Sequence, residues 1–446
     1  MTSPNVIVFF TDQQRWDTAG LHGNPLDLMP NFDLYAQRGT HVAHSFTCQP
    51  VCGPARATLQ TGMYASRTGC WRNSIVLDPR FTTLADCFGE AGYRTGYIGK
   101  WHLGSRRDIV PAEERGRYDY WLGANALEFT SNYNRTVVYD GDNRKVRLPG
   151  NRVDALTDAA IRFIDANQDR PFYLFLSHLE PHFQNHVDDY PAPPGYRERY
   201  TGRWTPPDLA ALGGTSNAHL GGYYGMVKRL DEAYGRLMDA LESLGLLDNT
   251  IVLFTADHGC HFKTRNAEYK RSCHESSIRV PTSIHGPGFE AGGSRPELVS
   301  LVDLPPTLLD GAGLPVPEQM DGHSLVPRLR RDGDWPDDVF IQITTSGVGR
   351  AVRTRRWKYA VHADESDGAV PGTADAYREA FLYDLQHDPH ELTNLIESEA
   401  HTPIRTDMRA RLQRYINAVE DAEPEIIQAT TQKSGQRRVL DDEPGS

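Results

Sequence analysis

"GYYGMVKRLDEAYGRLMDALESLG" occupies residues 222–245, and "NTIVLFTAD" follows at 249–257. The first stretch carries apolar residues at helical spacing with charges between them, which predicts a long amphipathic helix. The second is a short apolar run too brief for a helix and without polar alternation, which predicts a strand buried on both faces. A helix leading directly into such a strand is half of a βαβ unit.

The same texture repeats outward along the chain. "NVIVFF" (5–10) reads as a buried strand. "TTLADCFGEAGY" (82–93) reads as a helix before the strand "RTGYIG" (94–99), and "VDALTDAAIRFIDANQ" (153–168) as a helix before "PFYLFLS" (171–177). Alternating helices and buried strands imply an α/β fold with a mostly parallel central sheet flanked by helices. From about residue 325 the pattern changes. "DVFIQITT", "GRAVRTRRWKYAVH" and "EAFLYDLQHDP" predict a hairpin-rich antiparallel sheet, with a polar loop over 363–377 and a helix near 402–420. The expected organisation is an α/β domain over 1–325, a smaller C-terminal α+β subdomain over 326–422, and a polar tail over 423–446. No internal repeat is visible.

Composition narrows the function. A net charge of −12 over 446 residues argues against nucleic-acid binding and against an anionic membrane surface. No run approaches the ~18 apolar residues of a membrane span, and the N-terminus lacks the pattern of a secretory leader. Six cysteines in a chain of this length do not make a disulfide framework. The expectation is a cytoplasmic protein, without membrane or nucleic-acid partners.

Ligands of open α/β sheets bind beyond the carboxyl ends of the strands. There this sequence places ionisable groups four times over. Asp12 and Gln13 follow the first strand, Lys100 and His102 the second, His178, Glu180 and His182 the third, and Asp257, His258, His261 and Lys263 the fourth. Asp12, Asp257, the Gln13 carbonyl and His258 form a donor set suited to Ca²⁺, Mg²⁺ or Mn²⁺. Lys100, His102, His182 and Arg56 beside them imply an anionic substrate group, a sulfate or phosphate.

"VCGPARATLQTG" (51–62) sets a cysteine before a helix that Pro54 can start and Gly62 can end. A tyrosine-phosphatase loop would need arginine six residues after the cysteine, and Thr58 stands there. Zinc ligation by Cys48 and Cys52 lacks a second nearby pair. A cysteine-protease nucleophile leaves the metal-type residues unexplained. The remaining options are an inert thiol or the precursor of another group.

Cys52-Gly53-Pro54-Ala55-Arg56 resembles the C-x-P-x-R signature of type I, formylglycine-dependent sulfatases, in the alkaline phosphatase-like superfamily. "GKWHLG" (99–104), "TADHG" (255–259), "YKRSCHESSIRVP" (269–281) and "LYDLQHDPHELTNL" (382–395) are similar to that family too. The resemblance implies oxidation of Cys52 to formylglycine by a formylglycine-generating enzyme acting on the unfolded chain. It implies one divalent metal, Ca²⁺ foremost with Mn²⁺ or Mg²⁺ as alternatives, held by Asp12, Gln13, Asp257, His258 and the residue at 52. Arg56, Lys100, His102, His182 and Lys270 take catalytic roles, and His178, His261 and Lys263 contact substrate. The implied reaction is hydrolysis of an organic sulfate monoester, by preference a small sulfated saccharide.

Two departures stand out. Asp12 is followed by Gln13 where many members carry a second aspartate, and Cys260 replaces the acidic residue after Asp-His-Gly. The Asp-Gln pair also occurs in related phosphonate monoester and phosphodiester hydrolases, which stand as the alternative. A non-catalytic binder of sulfated glycans is a further one. The basic aromatic stretches at 195–204 and 353–360 are read as solvated surface before sugar-binding rim.

Overall fold

Strands β1 (Asn5–Thr11), β2 (Thr40–Phe46), β3 (Arg94–Lys100), β4 (Tyr120–Ala124) and β5 (Thr136–Asp140) belong to one sheet. So do β6 (Lys145–Leu148), β7 (Phe172–Ser177), β8 (Thr250–Ala256), β9 (Ser283–His285) and β10 (Gly293–Ser300). Their order is β10-β2-β9-β8-β1-β7-β3-β4-β5-β6 in a computed structural model that describes residues 3–290, 292–363 and 372–431. The central five, β8-β1-β7-β3-β4, are parallel. β10 and β2 form a further parallel pair, while β9, β5 and β6 run antiparallel to their neighbours.

Strand alternation divides the core into two layers. Ile7 and Phe9 of β1, Val252 and Phe254 of β8, and Leu174 and Leu176 of β7 face one side. There they meet Leu230, Tyr234 and Met238 of the Ser216–Ser243 helix and Leu156 and Phe163 of the Arg152–Asp165 helix. Val6, Val8 and Phe10, Ile251 and Leu253, and Tyr173 and Phe175 face the other. They meet Ala55 and Leu59 of the Cys52–Thr61 helix, Leu84 and Phe88 of the Leu84–Glu90 helix, and Leu304 and Leu308. A parallel sheet with no wet face needs apolar residues on both sides, which is why these strands read as continuous runs. The long helix starts at Ser216, six residues before its expected start.

A second sheet joins β11 (Asp338–Ile343), β12 (Gly349–Thr354), β13 (Trp357–His362), β14 (Ala376–Asp384) and β15 (Glu425–Ile427) in that order. It is antiparallel except for the β14–β15 pair. β15 lies in the segment expected as a polar tail; residues 432–446 of that segment, and 364–371 of the expected loop, lie outside the described residues. One face of this sheet packs on Met408, Leu412 and Ile416 of the Thr402–Glu420 helix. The other meets Phe46, Cys273 and Ile278. Of the two stretches expected as solvated surface, 195–204 is largely exposed, whereas half of 353–360 is buried. Arg353 and Lys358 are buried on Glu275, and Arg197 and Arg199 pair with Asp189 and Asp27.

Candidate active site

β8, β1, β7 and β3 are neighbours, so their carboxyl ends bring Asp257, Asp12, the 178–182 segment and Lys100 to one edge. The Cys52–Thr61 helix aims its N-terminus at that edge. Val51 is its extended cap, and Gly62, at φ 68°, ends it in the left-handed region where glycine is at ease. All ten residues of this helix are buried. Gly53 N–H donates to Asn73 Oδ1 at 2.8 Å.

Asp12, Cys52, Asp257 and His258 each offer a ligand atom within 4.8 Å of the others. Asp12 divides its oxygens between two tasks. Oδ2 accepts from Lys100 Nζ at 2.8 Å and from Arg56 at 3.0 Å. Oδ1 faces Cys52 Sγ at 3.5 Å and His258 Nε2 at 3.8 Å. Burial alone would push this carboxyl up, and so would Cys52, but Lys100, His182 and Arg56 hold it well below the usual carboxylate range. Asp257 has weaker support, from Arg56 at 3.7 Å from its Oδ2 and His258 at 3.4 Å from its Oδ1. Burial, with Asp12 beside it, lifts its carboxyl to about 7. Its Oδ1 accepts the Gln13 backbone N–H at 2.9 Å, and its Oδ2 has no hydrogen-bond partner among the described residues.

These observations test the fit of a divalent metal. Two buried carboxylates that repel one another, one with an orphaned oxygen, want a cation between them. His258 Nδ1 lies 2.9 Å from the Gly259 carbonyl, so a proton there leaves the Nε2 lone pair facing Asp12, 3.8 Å from its Oδ1, and Asp257, 3.4 Å from its Oδ1. The residues fit. Oxygen donors with one imidazole suit Ca²⁺ or Mn²⁺.

Gln13 stands apart from the four. Its Nε2 meets Tyr190 Oη at 3.2 Å and Cys260 Sγ at 3.3 Å, and its Oε1 accepts Phe183 N–H at 3.3 Å. Gln13 and His102 both sit at positive φ, 66° and 62°, two residues beyond the ends of their strands. Such backbone costs on the order of 1 kcal/mol and clusters at functional sites.

Lys270 closes the other side. Its Nζ donates to Cys52 Sγ at 2.9 Å and lies 3.0 Å from His258 Nε2 and 3.3 Å from His182 Nε2. Burial raises the Cys52 thiol, yet Lys270, Lys100, His258 and His102 together hold it well below the ordinary thiol value. Arg56 reaches past the thiol, bonding the Lys100 carbonyl at 2.8 Å and Ser177 Oγ at 2.7 Å. Arg56 and Lys100, expected in catalytic roles, therefore act first on Asp12.

Three expected substrate residues lie elsewhere. His178 is fully buried on Phe9, with ring centroids 4.7 Å apart and neither nitrogen hydrogen-bonded among the described residues. His261 is buried with Nε2 at 3.0 Å from the Lys270 carbonyl, so it braces the Lys270 segment. Lys263 is exposed, over the Tyr269 ring. Residues the sequence reading missed include Glu128, 3.5 Å from Lys100 Nζ, and Glu275. Glu275 ties the Lys270 segment to Lys358 and Arg353 of the small sheet. Glu128 follows β4, whose five residues carry no distinctive pattern.

The family model for sulfatases matches residues 4–314, and the model for the C-terminal part of N-sulphoglucosamine sulphohydrolase matches 267–418. The chain belongs to the sulfatase family. It is an enzyme of the sulfuric ester hydrolase class, with the alkaline phosphatase-like fold. This sulfatase is similar to the ulvan-active sulfatase of Formosa agariphila, 29% identical over 440 residues covering 94% of this chain and 82% of that protein. A solved sulfatase from Bacteroides fragilis superposes with a TM-score of 0.80 at 25% identity, covering 94% and 96% of the two chains. A further solved structure, in complex with its substrate D-glucosamine-2-N,6-O-disulfate, has a TM-score of 0.78 at 22% identity and covers 95% and 99%. The phosphonate monoester hydrolase of Agrobacterium radiobacter shares the fold at 0.68 and 23% identity, covering 92% and 94%.

Proposed function

We propose that this sulfatase hydrolyses a carbohydrate sulfate monoester to alcohol and inorganic sulfate, with Cys52 converted to formylglycine. The observation that carries the reading is the position of Cys52, at a helix N-terminus between Lys270 and the Asp12–Asp257–His258 cluster. An anion held there meets a helix N-terminus and three cations. The saccharide is supported by the named substrates of the ulvan-active relative and of the glucosamine-disulfate complex.

A hydrated formylglycine supplies an oxygen nucleophile and an exit for sulfate, and a divalent metal on Asp12, Asp257 and His258 supplies charge neutralisation. The chain's own groups do the rest. Lys100 and Arg56 keep Asp12 ionised. His102, within hydrogen-bonding reach of residue 52, holds a proton acceptor there. Lys270 and His182 face the side from which the ester oxygen departs and donate to it. Cys52 is only 1% exposed, which supports conversion before the chain folds, by a formylglycine-generating enzyme. A cytoplasmic location is part of the proposal, supported by six cysteines that are all unpaired.

Gln13 after Asp12, with the phosphonate hydrolase among the structural neighbours, favours phosphonate monoesters or phosphodiesters as the second reading. A paired assay decides between them: sulfate release from sulfated mono- and disaccharides against hydrolysis of an aryl phosphonate ester, on one preparation of known metal content. Faster phosphonate turnover reverses the assignment.

A further inference from the structure

Glu128 lies on the four-residue helix Leu127–Thr130, just beyond β4, the fifth parallel strand of the sheet. Its Oε2 sits 3.5 Å from Lys100 Nζ, opposite Asp12 Oδ2 at 2.8 Å, so one ammonium lies between two carboxylates. Beyond that ion pair, no hydrogen-bond donor meets this oxygen among the described residues. The side chain is 15% exposed and lies close enough to Lys100, His102 and His182 to feel their charge. Burial raises its carboxyl, but Lys100, His102 and His182 hold it ionised.

The charge balance around the thiol follows. Arg56, Lys100 and Lys270 bring three cations, and Asp12, Asp257 and Glu128 bring three carboxylates. The two aspartates are accounted for by the metal cluster. Glu128 is not; it subtracts one positive charge from a pocket whose task is to hold an anion. We infer that Glu128 is a specificity-determining residue that favours transferred groups carrying a single negative charge over those carrying two. A fixed carboxylate repels a phosphate monoester dianion about twice as strongly as a sulfate monoester anion at the same distance. A metal ion and the three cations attract the dianion about twice as strongly as the monoanion, so Glu128 counters that preference, and its own contribution survives their presence. This inference rests on the sulfatase reading of the same site.

The test compares kcat/KM for 4-nitrophenyl phosphate and 4-nitrophenyl sulfate in the metal-loaded enzyme and its Glu128→Gln variant. Where phosphate turnover is undetectable, its Ki as a competitive inhibitor replaces kcat/KM. Glu128→Gln should raise the phosphate-to-sulfate ratio on the order of tenfold at pH 8. The gain should shrink at pH 5, below the second phosphate pKa of about 6, where both esters are monoanions. Glu128→Asp, which keeps the charge, should keep the wild-type ratio, and Glu128→Ser carries the expectation of Glu128→Gln if the latter does not fold. A ratio unchanged at pH 8, or raised equally at both pH values, overturns the inference. Wild-type enzyme that turns over neither sulfate ester nor sulfated saccharide overturns the sulfatase reading instead.

Discussion

Lys270 Nζ lies 2.9 Å from Cys52 Sγ and 3.3 Å from His182 Nε2, so one ammonium bridges the nucleophile position and an imidazole at the pocket mouth. In the proposed mechanism both groups face the departing oxygen. Lys270→Ala should therefore lower kcat/KM by about 10²–10³ while shifting Tm little. Steady-state kinetics beside thermal melting check this; equal losses in both would make Lys270 a structural residue.

Arg56 should behave in the opposite way. It is buried among Asp12, the Lys100 carbonyl and Ser177, three acceptors that a planar guanidinium reaches together. Arg56→Met removes one donor from each, leaving Asp12 Oδ2 to Lys100 and the Lys100 carbonyl to Ser177 and Tyr97, and should cost about 3–5 kcal/mol of stability. Arg56→Lys should recover part of that loss. Urea unfolding of the three proteins provides the comparison, and an Arg56→Met variant as stable as the wild type would be contrary to it.

Metal binding should carry a signature of Asp257. With its carboxyl lifted to about 7 in the metal-free protein, an incoming cation must displace a proton. Affinity for Ca²⁺ or Mn²⁺ should rise with pH and level off above about 7. Chelated enzyme should gain Tm when the ion is restored, and Asp257→Asn should lose that gain and at least about a hundredfold in activity. Calorimetric titration at several pH values reads the first effect, and a flat profile would count against the paired-carboxylate site.

His178 predicts acid sensitivity away from the chemistry. Burial, with Arg152 nearby, pushes its imidazole from 6.5 down to about 3. Between those values the unfolded chain binds a proton that the folded chain refuses. Stability is therefore full above about pH 6.5 and falls as the pH drops, by about 1.4 kcal/mol per unit for one proton. His178→Leu should flatten that slope and leave KM unchanged. An altered KM at unchanged slope would return His178 to the substrate.

What the sequence revealed follows from local pattern. β1, β7 and β8 are apolar on both faces, so "NVIVFF", "PFYLFLS" and "NTIVLFT" announce themselves, and the polar residue after each run marks the sheet edge. β2, "THVAHSF", and β10, "GSRPELVS", sit toward one side of the sheet and carry polar residues that hide them. The resemblance to the sulfatase signature named Cys52, Arg56 and Lys270, but could not say that Arg56 and Lys100 converge on Asp12. That depends on how long side chains fold back through the core. His178 and His182 are four residues apart, yet one is sealed against Phe9 and the other reaches Lys270, a difference set by packing alone. Glu128 gave no signal, because a lone glutamate on one helical turn has no period.

The most direct measurement is the mass of the proteolytic peptide containing residue 52, taken from enzyme that turns over sulfate ester. The predicted result is a peptide whose cysteine –CH₂SH is replaced by an aldehyde, in proportion to specific activity, with a Cys52→Ser variant that carries no aldehyde and does not turn over repeatedly. Fully active enzyme whose residue 52 is only unmodified cysteine would contradict it.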